Sequence, residues 1–372
     1  MAHAYTPGLK VTKGTRLKRR RILPLRGEVL VSIGDRVKAH QNVAQAFLPG
    51  KVFPVNLANK FGVEPAEIPK YLLVKEGEKI EQGQLLFETP GIFGFFKSRY
   101  HSPISGTLEK VSKVTGQIML REPPTPIRLK AYISGKIVEV LPQEGVVVET
   151  EGALIQGIFG IGGERLGKIV TPLSKPDQEL EPHHIQEDMK GKIVVGGSYL
   201  NLETFQKAQE IGVVGIVSGG FDDSLIKNIL GYDIGVAITG SENIQTTLIM
   251  TEGFGRLPMA EKTFQLFKEL RGKEASINGS TQIRAGVMRP EIIVPLDDVE
   301  IQEESEKEGI LEKGTLVRII RNPYFGELGT VLDLPPEPAV IETEAKVRIL
   351  VVELQNGEKV TLPRANIEII ED

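Results

Sequence analysis

The chain has no cysteine, which excludes disulfides, thiol nucleophiles, thiolate zinc fingers and cysteine-ligated iron–sulfur clusters. It has no run of eighteen or more apolar residues, and its opening, MAHAYTPGLKVTKG, lacks the apolar core of a signal peptide. The expectation is therefore a cytoplasmic protein without a transmembrane segment. Acidic side chains are missing from residues 1–26, which hold Lys10, Lys13, Arg16, Lys18, Arg19, Arg20, Arg21 and Arg26. That segment carries +8 within a chain of formal net charge −4, leaving −12 elsewhere. An acidic body thus bears a basic arm. Two readings of the arm stand side by side: cations that meet phosphate or an acidic partner, or cations that keep a sheet edge soluble and unpaired.

A chain of 372 residues exceeds what one hydrophobic core normally organises, so several domains are expected. From Pro24 to about Ile169, short β-branched runs alternate with Gly, Pro and charged turns, and a helical period is confined to VNLANKFGV. Two segments share a strand–turn–strand form, PLRGEVLVSIGDRVKAHQNVAQAF around Gly34 and Asp35 and YLLVKEGEKIEQGQLLFETPG around Gly77 and Gly83. A third, HSPISGTLEKVSKVTGQIML, adds a Ser-Pro-x-Ser-Gly turn. These residues resemble the biotinyl/lipoyl-type barrel-sandwich hybrid over roughly residues 22–125, with Gly supplying the positive φ of its tight turns. Carrier members modify a lysine within Met-Lys-Met or Asp-Lys-Ala. Neither tripeptide occurs here, and Lys97 in FFKSRYHSP lacks those neighbours. The resemblance therefore implies a structural or docking module, of the kind found in RNA polymerase subunits and membrane electron-transfer complexes, and no carrier chemistry.

A further β segment ends in Gly157, Gly160, Gly162, Gly163 and Gly167, whose spacing matches no phosphate-binding fingerprint. The polar, Pro-containing stretch PLSKPDQELEPHHIQEDMK, residues 172–190, reads as a linker. Its His183 and His184 are adjacent and lack an i, i+4 ligand spacing, so no metal site is assigned there.

From Gly191 strands and helices alternate: KIVVGG, NLETFQKAQEIG, VVGIVSGG, DDSLIKNILG, DIGVAITG, QTTLIMTEGFG and PMAEKTFQLFKELRG. This order implies a parallel, Rossmann-like three-layer domain. Ligands of such sheets bind outside the carboxyl ends of the strands. Gly219, Gly220, Asp222, Asp223, Thr239, Ser241, Glu242, Glu252, Gly253 and Arg256 would converge on that rim, where Asp222, Asp223 and Glu252 have the chemistry for Mg²⁺ or acid–base work. Capping and turn formation explain the same residues without a ligand, Asp222 standing where a helix N-cap is wanted.

After an acidic stretch, EKGTLVRIIRNPYFGELGTVLDLPPEP closely resembles the KOW motif of NusG and several ribosomal proteins. Asn356 and Gly357 mark a hairpin turn further on. The resemblance implies an SH3-like barrel that binds RNA or docks on proteins. Arg318, Arg321, Asn322, Tyr324 and Phe325 match its exposed loop. Residues 311–372 hold seven cations and eleven acids, which favours a protein partner over RNA.

The resulting architecture is a multidomain α+β chain: basic arm 1–21, barrel-sandwich region 22–130, β segment 131–171 packed on it, linker 172–190, Rossmann-like domain with β extension 191–296, acidic linker 297–310, and KOW/SH3-like barrel 311–372. No cofactor and no nucleophile–base pair is read from it. The leading expectation is a non-catalytic scaffold that docks on a protein or ribonucleoprotein assembly. Two alternatives stand beside it: an enzyme or ligand sensor using the rim, and an accessory subunit of a membrane-associated redox complex.

Overall fold

The computed structural model describes residues 9–90, 97–232, 239–282, 288–297, 299–301, 311–319, 323–324, 326–340 and 346–369. The chain is rich in β-structure arranged in several sheets, as the density of β-branched runs predicts.

The largest sheet takes eleven strands. In chain order they are β1 (Val11–Ile22), β2 (Arg36–Val37), β3 (Gly135–Leu141), β4 (Gly145–Gln156), β5 (Phe159–Ile161), β6 (Arg165–Val170), β7 (Lys192–Val195), β8 (Gly215–Phe221), β9 (Thr247–Phe254), β10 (Glu274–Asn278) and β11 (Glu291–Pro295). Their spatial order is β5-β9-β8-β7-β6-β10-β11-β4-β3-β2, with β1 laid along β4. Strands β6, β7, β8 and β9 pair in parallel. Antiparallel β5 and β10 flank them. Residues 233–238, most of the expected strand DIGVAITG, lie outside the described residues. Strand β6 takes a place in the parallel set that the sequence reading had left to the preceding β segment.

Three helices accompany the parallel strands: α1 (Leu202–Ile211), α2 (Asp223–Leu230) and α3 (Glu261–Glu269). Asn201 begins α1 by accepting from Thr204 N at 2.8 Å, and Gly212 ends it at φ +88°. Those are the termini that Asn and Gly favour. Phe205, Ala208 and Ile211 of α1, Leu225 and Ile226 of α2 and Phe264 and Phe267 of α3 join the wholly buried β8 in one core.

The expected linker at 172–190 belongs to this core. Leu173, Leu180, Ile185 and Met189 are buried in it, and Glu179–Leu180 pairs in parallel with Tyr199–Leu200. Its polar composition hides four apolar anchors spaced irregularly, a pattern with no helical or strand period.

The expected unit 22–130 divides in two. Residues 53–120 enclose a core of their own around Leu57, Ile68, Leu86, Phe87, Leu108 and Leu120. Two antiparallel passages of chain enter this module side by side, with Glu122 N donating to Lys51 O at 3.0 Å and Val52 opposite Arg121. The outer residues, including Val37, Val43, Ala131 and Ile133, share a core with Leu17, Val148 and Ile293. Segment 131–171 is accordingly woven into the large sheet through β3 to β6.

The C-terminal part adds β12 (Leu316–Ile319), β13 (Leu328–Asp333), β14 (Ile349–Leu354), β15 (Lys359–Pro363) and β16 (Ile367–Ile369). They form an antiparallel sheet in the order β15-β14-β13-β12-β16 around Val317, Val331, Leu350, Val352 and Ile367. The Asn356–Gly357 turn joins β14 to β15 as expected, with Gly357 at φ +85° and Asn356 Oδ1 accepting from Glu358 N. Residues 302–310, most of the acidic linker, lie outside the described residues.

Candidate functional site

The carboxyl ends of β7, β8 and β9 carry a connected set of polar side chains. The chain leaves β7 through Gly196 and Gly197, so Tyr199 stands beside Asp222, which follows β8. The Tyr199 hydroxyl donates to Asp222 Oδ2. This bond, then burial, pushes the phenol up to about 12. Arg256, just beyond β9, lies over the Tyr199 ring at 4.3 Å from its centroid and pairs with Glu179. Two carboxylates, a phenol and a guanidinium are thus linked across three strand ends. Asp222 does occupy the N-cap position of α2, yet its carboxylate caps no helix N–H. Tyr199 takes it instead. Sequence reasoning missed Tyr199 and Glu179, and the only signal for the tyrosine was its place four residues after a buried strand.

The rest of the expected rim is divided. Glu252 accepts from Ala260 N at 3.0 Å and from Arg318 at 3.1 Å, so the C-terminal sheet uses it. Gly253 meets the same sheet: a Cβ there would lie 2.6 Å from Gly326 O. Gly219 and Gly220 serve close backbone packing, since a Cβ on Gly219 would lie 2.1 Å from Leu257 O and one on Gly220 2.3 Å from Gly255 O. Asp223 is exposed in the first turn of α2.

Thr239, Ser241 and Glu242 are not at this rim. They belong to the passage that enters β9 at Thr247, its amino end, and β8 pairs directly with β9 there. Thr239 Oγ1 donates to Gly160 O at 2.8 Å, and Glu242 accepts from Gly162 N and Gly240 N, both at 2.8 Å. Parallel neighbours place the residue before a strand and the residue after it at opposite edges, which separates this group from Asp222.

From Val11 onward the basic arm is strand β1, an edge of the large sheet. Arg16 bonds Glu151 at 2.9 Å and Lys18 approaches Glu149 at 3.3 Å. Arg19 pairs with Glu291, and Arg21 grips Glu164 through two bonds of 2.6 and 2.7 Å. Arg19 and Arg21 flank Tyr132, buried and held at φ +70°, with the Arg21 guanidinium 5.2 Å from its ring centroid. Arg20 alone of the five points outward with no carboxylate partner shown among the described residues.

In the C-terminal sheet, Arg318 is a buried residue of β12 where an exposed loop position had been expected. Its partners are Glu252 and Glu368, and Arg289 shares Glu368. Strand alternation decides this, because Val317 and Ile319 face the small core and Arg318 faces the neighbouring sheet. Tyr324 donates to Glu358 at 3.2 Å, which raises its pKa. Arg321, Asn322 and Phe325 lie outside the described residues. In the N-terminal module, Lys97 pairs with Glu88 at 2.7 Å, and with Arg99 it holds that carboxyl below its ordinary value.

Within the former linker, ligand-type atoms of Glu181, His183 and His184 all lie within 4.8 Å of one another. For want of an i, i+4 spacing, the sequence reading assigned no metal site to this pair of histidines. The turn is a 3₁₀ helix, Pro182–His184, whose three-residue repeat brings positions i and i+3 together. Neither a family model nor a curated protein matches this chain.

Proposed function

We propose that the chain is a non-catalytic, cytoplasmic docking protein that binds a larger protein assembly through its N-terminal lobe. One observation carries this reading. Of the eleven large apolar side chains exposed among the described residues, eight lie in residues 22–130: Phe47, Leu48 and Val52 where the chain enters the inserted module, Leu73 and Val114 on the module itself, and Ile22, Leu30 and Ile33 elsewhere in that lobe; Tyr232, Met288 and Leu316 lie outside it. Exposed apolar groups concentrated on one part of a surface mark interaction sites. In the arm, Arg16, Lys18, Arg19 and Arg21 pair with Glu151, Glu149, Glu291 and Glu164, and Arg318 is buried between Glu252 and Glu368, which leaves these cations little free charge for nucleic acid. The parallel strands β6 to β9 with α1 to α3 support a Rossmann-like central unit. The meander of β12 to β16 supports an SH3-like, KOW-type barrel used as a packing module.

The test is affinity purification from native lysate, half of it treated with RNase. A partner retained after RNase and moderate salt, and lost from Phe47→Asp and Val52→Asp variants that fold normally, is expected. Recovery of the bare chain alone, or capture indifferent to both substitutions, overturns the reading.

A second reading is favoured by the linked Tyr199, Asp222, Arg256 and Glu179, namely a small-ligand site at the strand ends. A metabolite panel would then raise the melting temperature in the wild type and not in Asp222→Ala.

A further inference from the structure

We propose that Glu181, His183 and His184 form a binding site for one divalent transition-metal ion of the zinc class. The three side chains supply one carboxylate oxygen and two imidazole nitrogens, the borderline donor set that Zn²⁺ takes when thiolates are lacking. Their ligand-type atoms lie within 4.8 Å of one another. A tetrahedral ion with bonds of about 2.0–2.2 Å needs ligand atoms about 3.3–3.6 Å apart. Torsional adjustment of exposed side chains covers that difference.

The backbone beneath them is already pinned. Leu180 and Ile185, on either side of the turn, are buried. The Leu180 carbonyl accepts from Thr204 Oγ1 at 2.9 Å, and Pro182 begins the 3₁₀ turn with its restricted φ. Ordering the site therefore costs side-chain entropy and little backbone entropy.

The hydrogen bonds also set the donors. Glu181 N donates to His184 Nδ1 at 3.1 Å, which leaves the ring proton on Nε2 and the lone pair on Nδ1, so the ion takes Nδ1 in exchange for that bond. His183 Nδ1 lies 3.1 Å from Glu181 Oε2. The two rings are 3.9 Å apart between centroids, an arrangement unfavourable for two imidazolium ions and suited to neutral ligands. Three protein ligands leave a fourth position open, the pattern of an exchangeable or catalytic ion more than a closed structural one.

Isothermal titration of the full, untagged chain with ZnCl₂ near pH 7.5 tests the proposal, alongside a two-dimensional NMR titration of the histidine ring protons. One Zn²⁺ per chain is expected, with the His183 and His184 resonances shifting while those of His3, His40 and His101 stay in place. Affinity should fall at least tenfold in His184→Gln and in Glu181→Gln, and further in the His183→Gln/His184→Gln double variant. Because these side chains are largely exposed, the variants should keep the wild-type melting temperature in EDTA. No uptake by the wild type at millimolar Zn²⁺, equal uptake by the double variant, or shifts confined to His3, His40 and His101 would each overturn the proposal.

Discussion

The guanidinium of Arg318 on β12 donates to Glu252 of β9 at 3.1 Å and to Glu368 of β16 at 2.7 Å, so one buried cation ties the C-terminal sheet to the end of the central one. Arg289 shares Glu368 from the other side. Deleting one member of a buried pair leaves the opposite charge uncompensated, at a cost of about 3–5 kcal/mol. Arg318→Met is expected to destabilise the chain by about 3 kcal/mol, read as a lower urea midpoint by circular dichroism. Exposed Arg348→Met should stay within about 0.5 kcal/mol. Equal midpoints for the two variants would contradict the structural role of Arg318.

The cations of β1 should separate by partner. Arg19 and Arg21 are largely covered and hold Glu291 and Glu164, so each truncation to Ala should cost about 1.5–3 kcal/mol, the range for hydrogen bonds to charged groups. Outward-facing Arg20 should change stability by less than about 0.5 kcal/mol. If the arm meets nucleic acid, Arg20→Ala is the variant that lowers the salt slope of binding to a polyuridine probe without altering the melt. A flat salt dependence in the wild type restricts the arm to its place in the sheet.

Tyr199 should be among the last phenols to ionise. Its pKa in the folded chain is raised to about 12, above the ordinary 10, by its bond to Asp222 and then by burial. A raised folded value means that the protonated phenol stabilises the fold fully below pH 10 and loses that contribution as pH climbs from 10 towards 12. The difference in 295 nm absorbance between wild type and Tyr199→Phe should therefore titrate near pH 12. Asp222→Asn should move that phase down towards the ordinary value. A phase already complete at pH 10.5 in the wild type would rule out the Tyr199–Asp222 bond.

Gly219 distinguishes packing from ligand cradling. A Cβ there would lie 2.1 Å from Leu257 O and 2.7 Å from Gly197 O, and backbone atoms on both sides leave no flexible group to yield. Gly219→Ala should cost about 3 kcal/mol, the upper end of ordinary overpacking. Gly255→Ala meets open space and pays only for its φ of +102°, about 1 kcal/mol. Thermal melts should rank Gly219→Ala well below Gly255→Ala; the reverse order would show that the strand ends are loosely packed.

Local signals were legible wherever the cause is local. Asn201 and Gly212 bound α1 because a side-chain acceptor and a left-handed residue act within one turn, and Asn356–Gly357 closes its hairpin for the same kind of reason. The alternation of strands and helices after Gly191 also corresponds to the elements seen among the described residues, DIGVAITG lying mostly outside them and α3 beginning at Glu261 rather than beside Pro258. The segment 172–190 misled because its four anchors pack individually, without a period to announce them. Thr239 and Glu242 were grouped with Asp222 because sequence proximity to a strand does not say at which edge of the sheet the chain re-enters.

Composition alone determined the absence of thiol chemistry, and the order of residues along the chain determined the separation of a basic arm from an acidic remainder and the dominance of β-structure. Tertiary structure decided what each charge does. Arg19 finds Glu291 across 272 positions of sequence, and Arg318 turns from a solvent contact into a buried link because β12 stands between two sheets. The histidines become a cluster only because a three-residue turn stacks them on Glu181. Electrostatic partners and ligand sets depend on distances of a few ångströms, and those distances follow from strand order and turn type, which no spacing along the chain records.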